Sequence, residues 1–189
     1  MPRWEQGAGD RLRAAALELF LEHGYENVTV AQITERAGLT RRTFSRYFAD
    51  KRDVLFAGSD QLPAALAEAV SKADAGLTPF EALLSALEGV GDMLAARVAP
   101  HAAQRQAIVE SSTELKERGR TKFAAVSDAL DAALRERGAA PSTAGLLANV
   151  GVTIFRTAFG RWVEEPDAAA CSARMREAAD ELARALDRR

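Results

Sequence analysis

Arg41, Arg42, Ser45 and Arg46 lie within six residues, interleaved with Phe44, Tyr47 and Phe48. On a helix the three aromatics fall at i, i+3 and i+4 and make one stripe, while the guanidinium and hydroxyl groups project from the other side. Such a face has a definite chemistry. Arg donates two hydrogen bonds to guanine O6 and N7 in the major groove, and Thr, Tyr and Lys side chains hold phosphates. The alternative for a basic run is a solvated helix face. The formal net charge of −2 does not suggest a nucleic-acid partner, but the charge is unevenly placed: residues 28–52 carry six basic against two acidic side chains, whereas 61–189 carry 16 basic and 18 acidic ones. One small basic patch thus sits on a near-neutral body; by charge alone the solvated helix face is the favoured reading, and the case for a nucleic-acid partner rests on the pattern of residues around the patch.

The elements that would hold this patch are short helices. Leu12, Ala16, Leu19 and Phe20 recur with helical spacing, which predicts a helix over about 10–23 stopped at Gly24. Thr29 with Gln32 three residues later has the form of a reciprocal helix cap, ahead of a helix whose apolar positions are Val30, Ile33 and Ala37 and which Gly38 ends. Leu39 then points back to the core, and Thr40 caps a third helix from 41 to about 48. Asp50 caps a fourth, with Asp53 at its third position and Val54 and Leu55 on its buried side. Two short helices joined by a Gly-containing turn have the spacing of a helix-turn-helix.

The segments AALELFLEHGYENVTV and TVAQITERAGLTRRTFSRYFADKRDVL resemble the N-terminal domain of TetR-family transcriptional regulators over about residues 10–57. The resemblance implies a three-helix DNA-binding head, a long fourth connecting helix, and an α-helical body that binds a small molecule and dimerises. It places phosphate contacts on Thr29, Thr40, Tyr47 and Lys51 and base-edge contacts on Arg41, Arg42, Thr43 and Arg46. The plain alternatives are capping alone for Thr29 and Thr40, a core position for Tyr47, and a solvated surface position for Arg52. The Arg41–Arg42 pair departs from the small residues frequent in the family at this point and suggests a half-site containing G.

Composition agrees with an all-α chain. Forty of 189 residues are Ala, Pro numbers 6, and aromatics are 6%; unbranched side chains lose little rotamer freedom in a helix. The expected division is a DNA-binding domain over 1–56 and a ligand-binding, dimerising bundle over 57–189, with helix breaks at 76–79, 99–100, about 112, 138–141 and 165–166. Phe80, Leu83, Leu84, Leu87, Val90, Met93 and Leu94 form one apolar stripe, which a simple bundle core explains. A helix over 142–164 is apolar nearly all round and should be buried on more than one side, and a last helix over 167–186 keeps its stripe through Leu186. Following the resemblance, Leu147, Val150, Ile154, Ala158, Met175, Ala179 and Leu182 are the expected dimer contacts, with Gly151 and Gly160 allowing close approach. Candidate effector contacts are His101, Gln104, Arg105, Arg156 and Trp162; Arg156, a charge on an apolar helix, needs a carboxylate, a carbonyl or an anionic ligand.

The function so implied is a homodimeric regulator on a palindromic operator in double-stranded DNA. The expected form is a repressor released by a small hydrophobic or acyl-CoA-like effector; transcriptional activation, or a helical interaction protein without sequence-specific DNA binding, is the alternative. No enzyme is expected: the chain has no phosphate loop, no H-E-x-x-H, no G-x-S-x-G and two His. The one Cys, Cys171, excludes an internal disulfide and suits a small buried helix residue, so neither a metal nor a cofactor is expected. The longest uncharged stretch, 138–155, contains Pro141, Asn149 and three Gly. It reads as a buried helix rather than a membrane span, and with no recognisable signal peptide the expected location is cytoplasmic.

Overall fold

A computed structural model describes residues 7–56, 60–166 and 170–187. All regular elements among them are helical: α1 (Ala8–His23), α2 (Val30–Arg36), α3 (Arg41–Tyr47), α4 (Asp53–Phe56), α5 (Leu62–Lys72), α6 (Pro79–Val98), α7 (Ala102–Ser111), α8 (Thr113–Glu136), α9 (Pro141–Glu164) and α10 (Cys171–Leu186), with short 3-10 turns at Tyr25–Asn27 and Ala99–His101. The helix predicted from 167 begins at Cys171; its first expected residues, 167–169, lie outside the described residues. In place of one long fourth helix stand the four residues of α4 and, after residues 57–59, which also lie outside, the eleven of α5.

The described residues form two compact units. One joins the chain up to Asp60 with Ala103–Gly119; the other joins Gln61–Ala102 with the chain from Arg120 onward. The first unit is built around α1, which packs against α2, α3 and α4. Its core holds Leu12, Phe20, Ile33, Phe44, Phe48 and Leu55, and takes in Ile108 of α7 and Leu115 of α8. Truncating a buried ring such as Phe44 to Ala costs about 3–5 kcal/mol by lost burial and the cavity left behind. Leu17, outside the predicted stripe, is buried as well, so α1 is enclosed on more than one side.

The local reasons are those of the sequence. Thr29 Oγ1 accepts from the Gln32 amide at 3.3 Å while Gln32 Oε1 accepts from the Thr29 amide at 2.8 Å, closing the cap of α2 in both directions. At its other end Gly38 stands at φ +62°, where a Cβ is strained. The Leu39 amide then reaches Thr34 O at 2.8 Å and the Gly38 amide Glu35 O at 3.0 Å, so the last carbonyls of α2 are satisfied before the chain turns. Thr40 Oγ1 accepts from the Thr43 amide at 3.1 Å and starts α3.

In the second unit α6 is central, packing against α5, α9 and α10, and α9 packs against α10. Leu66, Leu83, Leu87, Leu130, Phe155 and Met175 are at its centre. Arg137 donates to the carbonyls of Val70, Ala73 and Asp74 and so caps the end of α5. Gly151 lets α9 touch α6: a Cβ there would stand 2.9 Å from Leu83 Cδ1. Its lack of a side chain thus serves contact within the protomer, not the subunit contact expected of it.

Three expectations are corrected here. Ile154, Ala158, Met175 and Ala179 are buried in the protomer's own core, because α9 and α10 pack on α6 and on each other with these side chains. They have no surface left for a second subunit. Second, α9 is not apolar all round: Asn149, Thr153, Arg156 and Thr157 are exposed. Third, Met93 and Leu186, placed on apolar stripes, are 58% and 70% exposed. Cys171 is buried as expected, and burial, with Asp92 nearby, pushes its thiol up to about 11.

Candidate nucleic-acid interface

The short helix α3 turns its two faces to different environments. Phe44 and Phe48 are buried, their ring centroids 5.4 Å apart, and this anchors the helix. Arg41, Arg42, Ser45 and Arg46 are exposed, and Thr40, Arg42, Thr43, Ser45 and Arg46 line a shallow concavity. Tyr47, the third member of the predicted aromatic stripe, is 40% exposed. Its ring lies against the backbone at Gly9, where a Cβ would sit 3.2 Å from Tyr47 Cδ1, so the alternative of a core tyrosine falls.

The six cations of residues 28–52 separate into two groups. Arg36 is tied to Glu22 at 2.8 Å and to Glu18 at 3.3 Å, and its guanidinium holds the Glu22 carboxyl below the usual range. Arg52, expected to be only solvated, pairs with Asp50 and, at 2.9 Å, with Glu114 of α8. Lys51 Nζ donates to Tyr25 O at 2.8 Å, Val28 O at 3.2 Å and Glu26 O at 3.4 Å, and stands 4.1 Å from the centre of the Tyr25 ring. It closes the turn that leads into Thr29. Cations with acids or carbonyls around them add little to an external field, so the outward positive charge of α3 is carried by Arg41 and Arg42. Among the described residues no hydrogen bond or ion pair engages Arg41 or Arg42.

The hydroxyls are placed as follows. Thr29 and Thr40 are exposed N-caps, each with a side chain bonded to a helix-start amide. The Thr43 hydroxyl is 3.0 Å from that of Thr40. Arg46 donates to the Tyr47 hydroxyl at 3.2 Å, with its guanidinium carbon 5.0 Å from the ring centre. All eight expected contact residues therefore belong to one unit, seven of them exposed or half-exposed around α2 and α3 and one, Lys51, directed at the chain's own carbonyls.

The expected effector residues divide between the two units: Gln104 and Arg105 belong to the first, and His101, Arg156 and Trp162 to the second. His101 and Gln104 are exposed. Arg105 donates to Leu55 O, and burial, then the charge of Arg13, holds its guanidinium below the ordinary range. Arg156 is exposed, its guanidinium carbon 5.4 Å from the Phe123 ring centre, which removes the premise that it needs a buried anion. Trp162 is buried beside Phe159, with centroids 5.4 Å apart, and the ladder continues through Phe155 to Phe123.

Within the first unit, the polar ties from Ser112, Glu114 and Arg118 to the N-terminal helices have no local signal in the sequence. Ser112 Oγ donates to Glu26 Oε1 at 2.8 Å, and Arg118 to Asp53 Oδ1 at 2.6 Å. Their separations of 86 and 65 residues leave no local pattern to read.

Residues 12–57 match the family model of the bacterial regulatory proteins, tetR family. Over 81 residues the chain is 40% identical to the HTH-type transcriptional regulator TcmR of Streptomyces glaucescens. That match covers 43% of this chain and 36% of TcmR, about a third of the relative's length. The transcriptional regulator FadR from Bacillus subtilis, in complex with stearoyl-CoA, has the same fold at a TM-score of 0.59 and 20% identity, over 90% of this chain and 95% of that one. The SmeT–triclosan complex aligns at a TM-score of 0.61 and 21% identity, over 93% and 89%; SmeT is the repressor of the Stenotrophomonas maltophilia multidrug efflux pump SmeDEF. No helix among the described residues is long and apolar enough to cross a membrane.

Proposed function

We propose that this chain, whose residues 12–57 match the family model of the bacterial regulatory proteins, tetR family, is a transcriptional repressor of that family that binds a palindromic operator as a homodimer and leaves it when a small molecule binds. The observation that carries the reading is the outward face of α3, where Arg41 and Arg42 stand exposed while Arg36, Lys51 and Arg52 are held by the chain's own acids and carbonyls. The DNA-reading part comprises 1–56, and residues 103–119 pack with it; the rest of 57–189 carries the effector and the second subunit. Phosphates fall to Thr29, Thr40 and Tyr47, and base edges to α3. A twofold dimer presents two such helices one turn of DNA apart, about 34 Å, or a multiple of it, and its symmetry is mirrored in the operator.

FadR with stearoyl-CoA and SmeT with triclosan support a small hydrophobic or acyl-CoA-like effector. The ladder of Phe123, Phe155, Phe159 and Trp162, with Lys122 and Arg156 over the Phe123 ring, suits an apolar body that carries negative charge. Such a ligand releases DNA only through its different affinity for the bound and unbound conformations.

The test is selection of bound sequences from a random DNA library, followed by titration of the winner at several salt concentrations. The reading expects a palindrome and a steep loss of affinity with salt. Replacing Arg41 and Arg42 together by Ala should abolish specific binding with the helical signal unchanged. Failure to enrich any sequence, with effector-free protein verified by mass spectrometry after denaturation, overturns it.

A further inference from the structure

Three residues of α3 carry the same charge but occupy different positions. Successive residues of a helix are about 100° apart, so Arg42 and Arg46, each two residues from the buried Phe44, stand about 160° round from it and are its outermost side chains. Arg41, three residues away, is about 60° from Phe44 and lies on the flank. Arg42 is in the first turn, the end of a recognition helix whose residues meet base edges. Arg46 is in the last turn, with its guanidinium drawn onto the Tyr47 ring and one N–H directed at the Tyr47 hydroxyl. Tyr47 in turn rests on Gly9 of α1, so the Arg46 guanidinium is held on the side of α3 that faces α1. Thr43 and Ser45 line one concavity with Arg42 and Arg46; the Thr43 hydroxyl is shared with the Thr40 cap, which leaves the Ser45 hydroxyl as the one beside Arg42.

We propose that α3 divides its labour: Arg42, with Ser45 beside it, reads the edge of a guanine in each half-site, whereas Arg46 and Tyr47 together hold a backbone phosphate. This rests on the DNA-binding reading above and adds which residues determine specificity. A guanidinium that extends outward from the first turn can present two parallel N–H groups to guanine O6 and N7. A guanidinium lying on an aromatic face is confined in direction and meets a phosphate oxygen, a target present at every base step.

Arg41→Ala, Arg42→Ala and Arg46→Ala each remove one guanidinium from an exposed position; Tyr47→Phe removes only the hydroxyl. Each is measured in the full chain against the selected operator and its single-base variants, at low salt so that binding persists, with melting curves as the folding control. In Arg42→Ala the preference for G at one position of each half-site should fall about tenfold or more. Arg41→Ala, Arg46→Ala and Tyr47→Phe should keep the sequence preference. Arg46→Ala should bind every variant more weakly by the same factor, with the slope of log affinity against log salt reduced by about 0.9. The proposal is overturned if Arg46→Ala changes the preferred base while Arg42→Ala does not, or if all three Arg variants weaken binding without changing preference. A wild-type protein that selects no sequence would instead remove the DNA-binding reading beneath it.

Discussion

Lys51 shows how a residue's role depends on what the chain places around it. By resemblance it is a phosphate contact, yet its ammonium has three backbone carbonyls of residues 25–28 and the Tyr25 ring as neighbours. A Lys⁺ so held acts on DNA only through the position of the turn it closes, and hydrogen bonds to a charged group are worth about 1.5–3 kcal/mol. Lys51→Met is therefore expected to lower the stability of the first unit by about 1–3 kcal/mol and to weaken DNA binding without changing its salt slope. A slope reduced by about one would identify Lys51 as a phosphate ligand after all. The caps at Thr29, Thr40 and Asp50 were legible in the sequence because donor and acceptor lie three residues apart. Lys51 was not, since its acceptors lie 23–26 residues away and become neighbours only when α1 and the α3–α4 turn share a core.

At the scale of elements, the turn between α3 and α4 joins α3 to the rest of its unit. Asp50 Oδ1 accepts from the amides of Arg52 and Asp53 at 2.8 and 3.1 Å, and Asp53 Oδ2 accepts from the Ala49 amide at 3.0 Å. Burial alone would raise the Asp50 carboxyl, but the Arg52 guanidinium and the two amides hold it below the usual carboxylate range. A carboxylate whose affinity for protons is lower in the folded state stabilises that state above its ordinary pKa, near 4, and loses the contribution as pH falls through and below that value. Amide hydrogen exchange in α2 and α3 should thus accelerate as pH falls from about 5 to 3 by more than the intrinsic chemistry predicts. Asp50→Asn should flatten that dependence, and an unaltered profile in the variant would show that the acid sensitivity arises elsewhere. The breaks before α6, after α6 and before α9 fell where Thr78 and Pro79, Pro100, and Gly138 and Pro141 mark them. What local patterns could not reveal is that 103–119 belongs with the N-terminal helices, because Ile108, Leu115, Ser112 and Arg118 meet their partners across more than fifty residues.

For the whole molecule, the proposed homodimer must use what the second unit leaves outside. With Ile154, Ala158, Met175 and Ala179 buried in the protomer's own core, the expected contacts that keep outward surface are Leu147, Val150 and Leu182, all half-buried. Leu146 on α9 and Leu186 on α10, 66% and 70% exposed, add large apolar side chains on the same two helices. Burying such a side chain gains about 1.5–3 kcal/mol, and a glutamate in its place would have to enter the interface charged or protonated, at greater cost. Leu146→Glu combined with Leu186→Glu should therefore shift the protein from dimer to monomer in sedimentation velocity at micromolar concentration, with little change in melting, since both positions are outside the protomer core. Affinity for a palindrome should then fall toward that for a single half-site, because the second head no longer binds as part of the same body. A dimer that survives the double substitution would place the subunit contact on another face of the second unit, while leaving the reading of α3 as it stands.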